Sequence, residues 1–202
     1  MELENWFKKE CHFAGIQIRQ NHFALMAFNR FLSQQGFERI IELGTGWGGF
    51  ALFLSLYQQV WNRELYSFDI EESPFPNVNE ILDKNSHFIR GDIFLLKDFI
   101  NDLITKPGRV LVLCDNGEKI REFNEFSKSL KTQDVIMCHD FYESRADFEN
   151  DLNRTWDWCE ITLPDIQDSI NSYNLCQICS EYFGLAHWGC FIRTETDNKE
   201  IN

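Results

Sequence analysis

Ile41-Glu42-Leu43-Gly44-Thr45-Gly46-Trp47-Gly48-Gly49-Phe50 is the stretch on which the fold turns. An aliphatic strand pattern, Arg39–Leu43, enters it, and a helical pattern over residues 48–60 leaves it. The glycines let the backbone turn sharply and approach a ligand with no Cβ in the way, while the helix N-terminus presents free N–H groups. Downstream, the same alternation recurs. Glu64–Asp69 reads as a strand, residues 77–83 as a short helix or turn, and His87–Arg90 as a short strand. Residues 94–104 look helical, and Lys106-Pro107-Gly108 breaks that helix. The continuous aliphatic run of residues 109–114 suits a strand buried on both faces. A helix over 118–130, a strand over 134–138 and a helix over 144–153 follow. Strands separated by helices imply right-handed crossovers. The expected fold is therefore α/β and doubly wound, with a mainly parallel seven-strand sheet and helices on both faces.

Outside this alternation, residues 21–35 form a helical pattern before the first strand, burying Phe23, Met26, Phe28, Phe31 and Leu32 and stopping at Gly36. The apolar runs 158–163 and 187–193 read as a closing, antiparallel pair of strands. With 202 residues the chain fits one domain, divided into an N-terminal helical segment (1–37), a ligand-binding core (38–142) and closing elements (143–202). Hydrophobic residues make up 44% and charged residues 25%, enough for a packed core. Lys plus Arg number 19 against 32 Asp plus Glu, a net charge of −13 that repels phosphate backbones and argues against a nucleic-acid partner. No apolar run approaches the roughly 20 residues of a bilayer span, so no membrane partner is expected. Acids stand at Glu2 and Glu4, where a signal peptide carries bases, and seven cysteines read as reduced thiols of a cytoplasmic protein. The 19 Phe and 6 Trp leave room for a homo-oligomeric interface without locating one.

Two ligand classes use such a glycine loop. Gly44, Gly46 and Gly49 satisfy the dinucleotide pattern G-x-G-x-x-G, whereas Glu42, Gly44, Gly46 and Gly48 satisfy the acidic pattern E-x-G-x-G-x-G. Glu42 discriminates between them, because a carboxylate repels a pyrophosphate and attracts the cationic amino group of S-adenosylmethionine. Thr45 lies within the loop. Asp69 ends the second strand 23 positions after Gly46, where a carboxylate takes ribose hydroxyls, with Ile70 beside it. Asp92 and Ile93 follow the third strand as either a plain turn or the partner of an adenine amino group and ring. The next strand ends place Asp115, then His139 and Asp140, on the same sheet edge, a set able to hold a divalent metal.

In these residues the chain resembles class I S-adenosylmethionine-dependent methyltransferases, and more narrowly the cephalosporin hydroxylase/rhamnosyl O-methyltransferase group. The resemblance runs from about Gly15 to Tyr142 through the glutamine-bearing helix before the first strand, the glycine loop, Phe68-Asp69-Ile70, Gly91-Asp92, Cys114-Asp115 and Cys138-His139-Asp140. It implies methyl transfer from S-adenosylmethionine to the hydroxyl of a small-molecule acceptor, with Mg2+ or Mn2+ on Asp115, His139 and Asp140. His139 stands where that group usually has an acid, and Asn116, Gly117 and Glu118 stand where it often has a histidine. The base that takes the acceptor proton is His139, if it is not a metal ligand, or Lys119. The alternatives are an NAD-dependent oxidoreductase using the same loop and a binding module that has lost catalysis. Cys176, Cys179, His187 and Cys190 have the residue types of a structural zinc site, and Trp156 and Trp158 of an acceptor-pocket wall. Residues 1–20 and 141–177 are where acceptor specificity would lie.

Overall fold

A strand with no polar side must lie in a sheet covered on both faces, and three of the aliphatic runs meet that condition. In a computed structural model, residues 11–152 and 159–195 are described. A small hairpin, β1 (His12–Phe13) and β2 (Ile16–Gln17), precedes helix α1 (His22–Gln34). Then come β3 (Arg39–Leu43), α2 (Gly49–Trp61), β4 (Glu64–Asp69), α3 (Pro76–Asn85) and β5 (His87–Arg90). After α4 (Lys97–Thr105) follow β6 (Val110–Cys114), α5 (Lys119–Phe126) and β7 (Val135–His139). The remaining elements are β8 (Phe141–Tyr142), α6 (Arg145–Asn150), β9 (Ile161–Thr162), α7 (Leu163–Tyr173), β10 (Leu175–Gln177), α8 (Ser180–Phe183) and β11 (Trp188–Arg193).

The seven-stranded sheet has the order β10-β11-β7-β6-β3-β4-β5, parallel from β7 to β5 and antiparallel at β11 and β10. β3, β6 and β7 are buried at all five positions. Alternation splits their side chains between two cores. Ile41, Leu43, Val112 and Ile136 face α4, α5 and α7, and Ile40, Leu111 and Met137 face α1 and α2. β3 pairs with β4 on one side and β6 on the other, so the strand order reverses there. Leu43 lies opposite both Phe68 and Cys114, and Cys114 opposite Cys138, which brings the carboxyl ends of four strands abreast. Ligands of open α/β sheets bind outside such a reversal.

The sequence expectations hold for the sheet's central strands and fail in the tail. β11 pairs antiparallel with β7 on one side and with β10, at 175–177, on the other, and not with the run 158–163. Of that run, Ile161–Thr162 pairs in parallel with Phe141–Tyr142, and Leu163 already begins α7. The reason is local: Thr162 and Asp165 form a capping box, with a proline in the first turn. The residues 77–83, ambiguous in sequence, belong to the ten-residue helix α3. Among the described residues no helix is long and apolar enough to cross a membrane.

Candidate functional site

At the reversal point the strand ends enclose a cleft of about 590 Å3. Gly44, Thr45 and Gly46 form its floor. Gly44 has φ +102°, and a Cβ there would lie 2.3 Å from the carbonyl oxygen of Asp115. The loop after β3 and the loop after β6 therefore touch backbone to backbone, which only glycine permits. The N–H of Gly46 donates to Asp69 Oδ2 at 2.8 Å, and that of Glu71 to Asp69 Oδ1 at 3.1 Å. Ile70 is more than half exposed on the cleft wall. Gly48 lies off the cleft as the N-cap of α2, at φ +87°, where a Cβ would meet Val78 at 2.6 Å. Its role is to let α2 and α3 pack.

Three more of the predicted ligand-binding residues, besides Gly48, lie away from the cleft. Glu42 is 1% exposed and absent from the lining. It accepts a hydrogen bond from Ser67 Oγ, whose own oxygen lies 2.5 Å from Thr45 Oγ1. With the Ser67 proton committed to Glu42, Thr45 is the donor in the second bond. Burial pushes the Glu42 carboxyl up to about 8, with the Ser67 bond opposing and Asp115 and Asp69 adding to the rise. Buried beneath the loop, Glu42 does not face the cleft in which a ligand's amino group would sit; strand parity turns it toward the α1/α2 core. Asp92 is exposed, its Oδ1 accepting from the N–H of Phe94 at 2.8 Å, so it is a turn cap. Ile93 is a core residue, 1% exposed.

Asp115, His139 and Asp140 do converge, at the wall formed by β6 and β7. His139 Nδ1 lies 2.9 Å from Asp115 Oδ1 and 3.4 Å from Asp140 Oδ2. Asp140 takes a left-handed conformation, φ +55°, which aspartate tolerates. Burial alone would lower the His139 pKa, but the two carboxylates outweigh it and hold the imidazole above its ordinary value. Two further residues, missed in sequence, complete the cluster. Gln20 is fully buried and donates through Nε2 to Asp115 Oδ2 at 2.9 Å, while its Oε1 accepts from Trp188 Nε1 at 3.2 Å. Glu160 forms a close ion pair with Lys119 Nζ.

Lys119 is not the exposed helix residue its position suggests. It is 6% exposed, lines the cleft, and brings Nζ to 3.3 Å from Asp140 Oδ2 and 3.8 Å from Asp115 Oδ1. Burial disfavours its charge, but Asp115, Asp140 and Glu160 more than compensate and keep it an ammonium. It is therefore not a proton acceptor. Among the described residues no group of three or more His, Cys, Asp or Glu is arranged to hold a metal ion. Both Asp115 oxygens are engaged, and an ammonium stands between the acids. These residues do not fit a divalent ion while Lys119 is present.

The sulfur-rich cluster does not assemble either. Cys176 is exposed, Cys190 is 1% exposed within the core, and His187 Nε2 is bonded to Asp151 Oδ2 at 2.9 Å. Trp156 and Trp158 lie outside the described residues.

The fold is that of the class I S-adenosylmethionine-dependent methyltransferases. Among solved structures, the chain is similar to CmcI with Mg and S-adenosylmethionine (TM-score 0.65, 13% identity, 92% of this chain and 77% of that one). It is also similar to a Staphylococcus aureus protein assigned as a caffeoyl-CoA O-methyltransferase (TM-score 0.59, 12% identity, 86% and 84%). A third is MycE, a methyltransferase of the mycinamycin biosynthetic pathway, in complex with Mg and S-adenosylhomocysteine (TM-score 0.55, 13% identity, 86% and 49%). No family model and no curated protein matches the sequence.

Proposed function

We propose that the protein binds S-adenosylmethionine in the glycine-loop cleft and transfers its methyl group to a hydroxyl oxygen of a small molecule. The observation that carries this reading is the charge of the cleft. Asp69, Glu71, Glu72, Asp115, Asp140 and Glu160 line it against Arg19 and Lys119. A dinucleotide would bring a pyrophosphate into that field, whereas S-adenosylmethionine brings a sulfonium and an ammonium and no phosphate. The charge of the cleft thus adds to the discrimination that the sequence placed on Glu42 and on the helix preceding the first strand. Asp69 stands at the end of β4, where a ribose is held, and its carboxylate would exchange the Gly46 N–H for sugar hydroxyls.

The sulfonium is already an activated donor, so the protein's tasks are alignment and proton removal. Bound there, S-adenosylmethionine would supply the activated methyl group for the acceptor oxygen, the S–CH3 pair staying on sulfur as a thioether, and the hydroxyl proton would pass to His139. Asp115 holds His139 through Nδ1, which leaves Nε2 as the ring nitrogen to receive it. The resemblance implies Mg2+ or Mn2+, and CmcI and MycE are described with Mg. Because the residues here do not fit the ion, no step is assigned to it. Calorimetric titration with S-adenosylhomocysteine tests the cofactor class. One-to-one binding that is lost in Asp69→Ala, with none for NAD+, is expected; preference for NAD+ refutes the reading.

A further inference from the structure

An ion between carboxylates neutralises them and polarises the acceptor's oxygen. In this chain three carboxylates, from β6, from the turn after β7 and from Glu160 ahead of β9, surround a single cationic nitrogen instead. We propose that the Lys119 ammonium occupies the cation position of this site in place of a divalent metal, and that the acceptor's oxygen is polarised by its N–H groups. The proposal rests on the methyl-transfer reading for the role of the acceptor, and on geometry for the cation position.

Three observations carry it. Lys119 opens α5, four residues after Asp115, so its side chain runs back toward the end of β6. Nζ lies within ion-pairing distance of Asp115, Asp140 and Glu160, and the residue is nearly excluded from solvent. A hard divalent ion needs these oxygens at about 2.0–2.6 Å; an ammonium already bonded to Glu160 and 3.3 Å from Asp140 excludes it from the same space. Asp115 is further withdrawn from ligation, since Gln20 and His139 occupy its two oxygens. A lysine has three donors, so a bond to Glu160 and an approach to Asp140 leave one N–H for an oxygen in the cleft.

The test uses the full chain, dialysed against a chelator, with Mn2+ followed by its paramagnetic resonance signal. The wild type and Lys119→Arg leave stoichiometric Mn2+ free in solution. Lys119→Ala, which uncovers Asp140 and Glu160 beside His139, binds one Mn2+ per chain. Where Lys119→Ala is too unstable to purify in the absence of metal, Mn2+ raises its melting temperature and leaves that of the wild type unchanged. Stoichiometric Mn2+ binding by the wild type overturns the proposal, and so does failure of Lys119→Ala either to bind Mn2+ or to be stabilised by it. A parallel titration with S-adenosylhomocysteine separates the two readings. If it fails while the Mn2+ results hold, the cofactor reading falls and the cation position stands.

Discussion

Replacing Glu42 by glutamine should make the protein more stable in alkali than the wild type, by an amount that grows with pH. Glu42 is 1% exposed, and burial pushes its carboxyl up to about 8 from an ordinary 4.5. In the unfolded chain the group releases its proton near 4.5, while the folded protein retains it up to about 8. Between those values the folded state binds more protons, so stability falls as pH rises. At about 1.4 kcal/mol per unit the accumulated loss reaches roughly 5 kcal/mol at and above pH 8. Glutamine keeps the shape and still accepts the Ser67 hydroxyl bond, but has no proton to lose. The variant and the wild type should therefore be nearly equal near pH 4.5 and diverge by several kcal/mol above pH 8. Urea denaturation followed by tryptophan fluorescence, at pH values from about 5 to 9, measures the difference. A gap that does not change with pH, or a glutamine variant weaker at the alkaline end, would refute the assignment of a neutral buried acid.

Two other substitutions probe the site. Gly44→Ala puts a Cβ 2.3 Å from the Asp115 carbonyl at φ +102°, so the two loops must part; a cost of about 1–3 kcal/mol and loss of S-adenosylhomocysteine binding are expected, and calorimetry showing unchanged affinity contradicts the loop contact. Gln20→Leu strips the Trp188 indole N–H and one Asp115 oxygen of a partner, at about 1–3 kcal/mol for each buried group, and an unaltered melting temperature would show that the bridge carries nothing.

Much of the frame was legible because it is written locally. The aliphatic runs of β3, β6 and β7 admit no solvent face, and the glycine loop marks where a strand meets a helix. The order of acids at successive strand ends located Asp69, Asp115 and Asp140 at one edge. The parity of Glu42 is equally legible, since Ile40 and Glu42 share a face two residues apart, and that parity decides which way its carboxyl points. Helix α7 was announced by Thr162, Pro164 and Asp165 and lost to the apolar run preceding it. Gln20, Glu160 and Trp188 carry no short-range signal at all. They reach the site from 95, 41 and 168 residues away from their partners Asp115, Lys119 and Gln20, through a topology that sequence spacing does not encode. Lys119 looked exposed because its helix begins with charges, and only the three acids around it explain its burial.

β11, the last strand among the described residues, has a consequence for the order in which the molecule is built. β11 covers one side of β7 over five residue pairs, and its Trp188 both contacts the His139 ring and donates to Gln20. A ribosome delivers β7 some fifty residues before β11. Throughout that interval Val-Ile-Met-Cys-His is an unpaired sheet edge with no charged side chain before the histidine, the kind of edge to which other chains add. The nascent protein can complete its glycine loop early, yet it leaves its most adhesive strand bare until the C-terminal hairpin emerges. Chaperone demand during synthesis should thus centre on the span between β7 and β11, and the same docking that protects the edge is the event that finishes the transfer site.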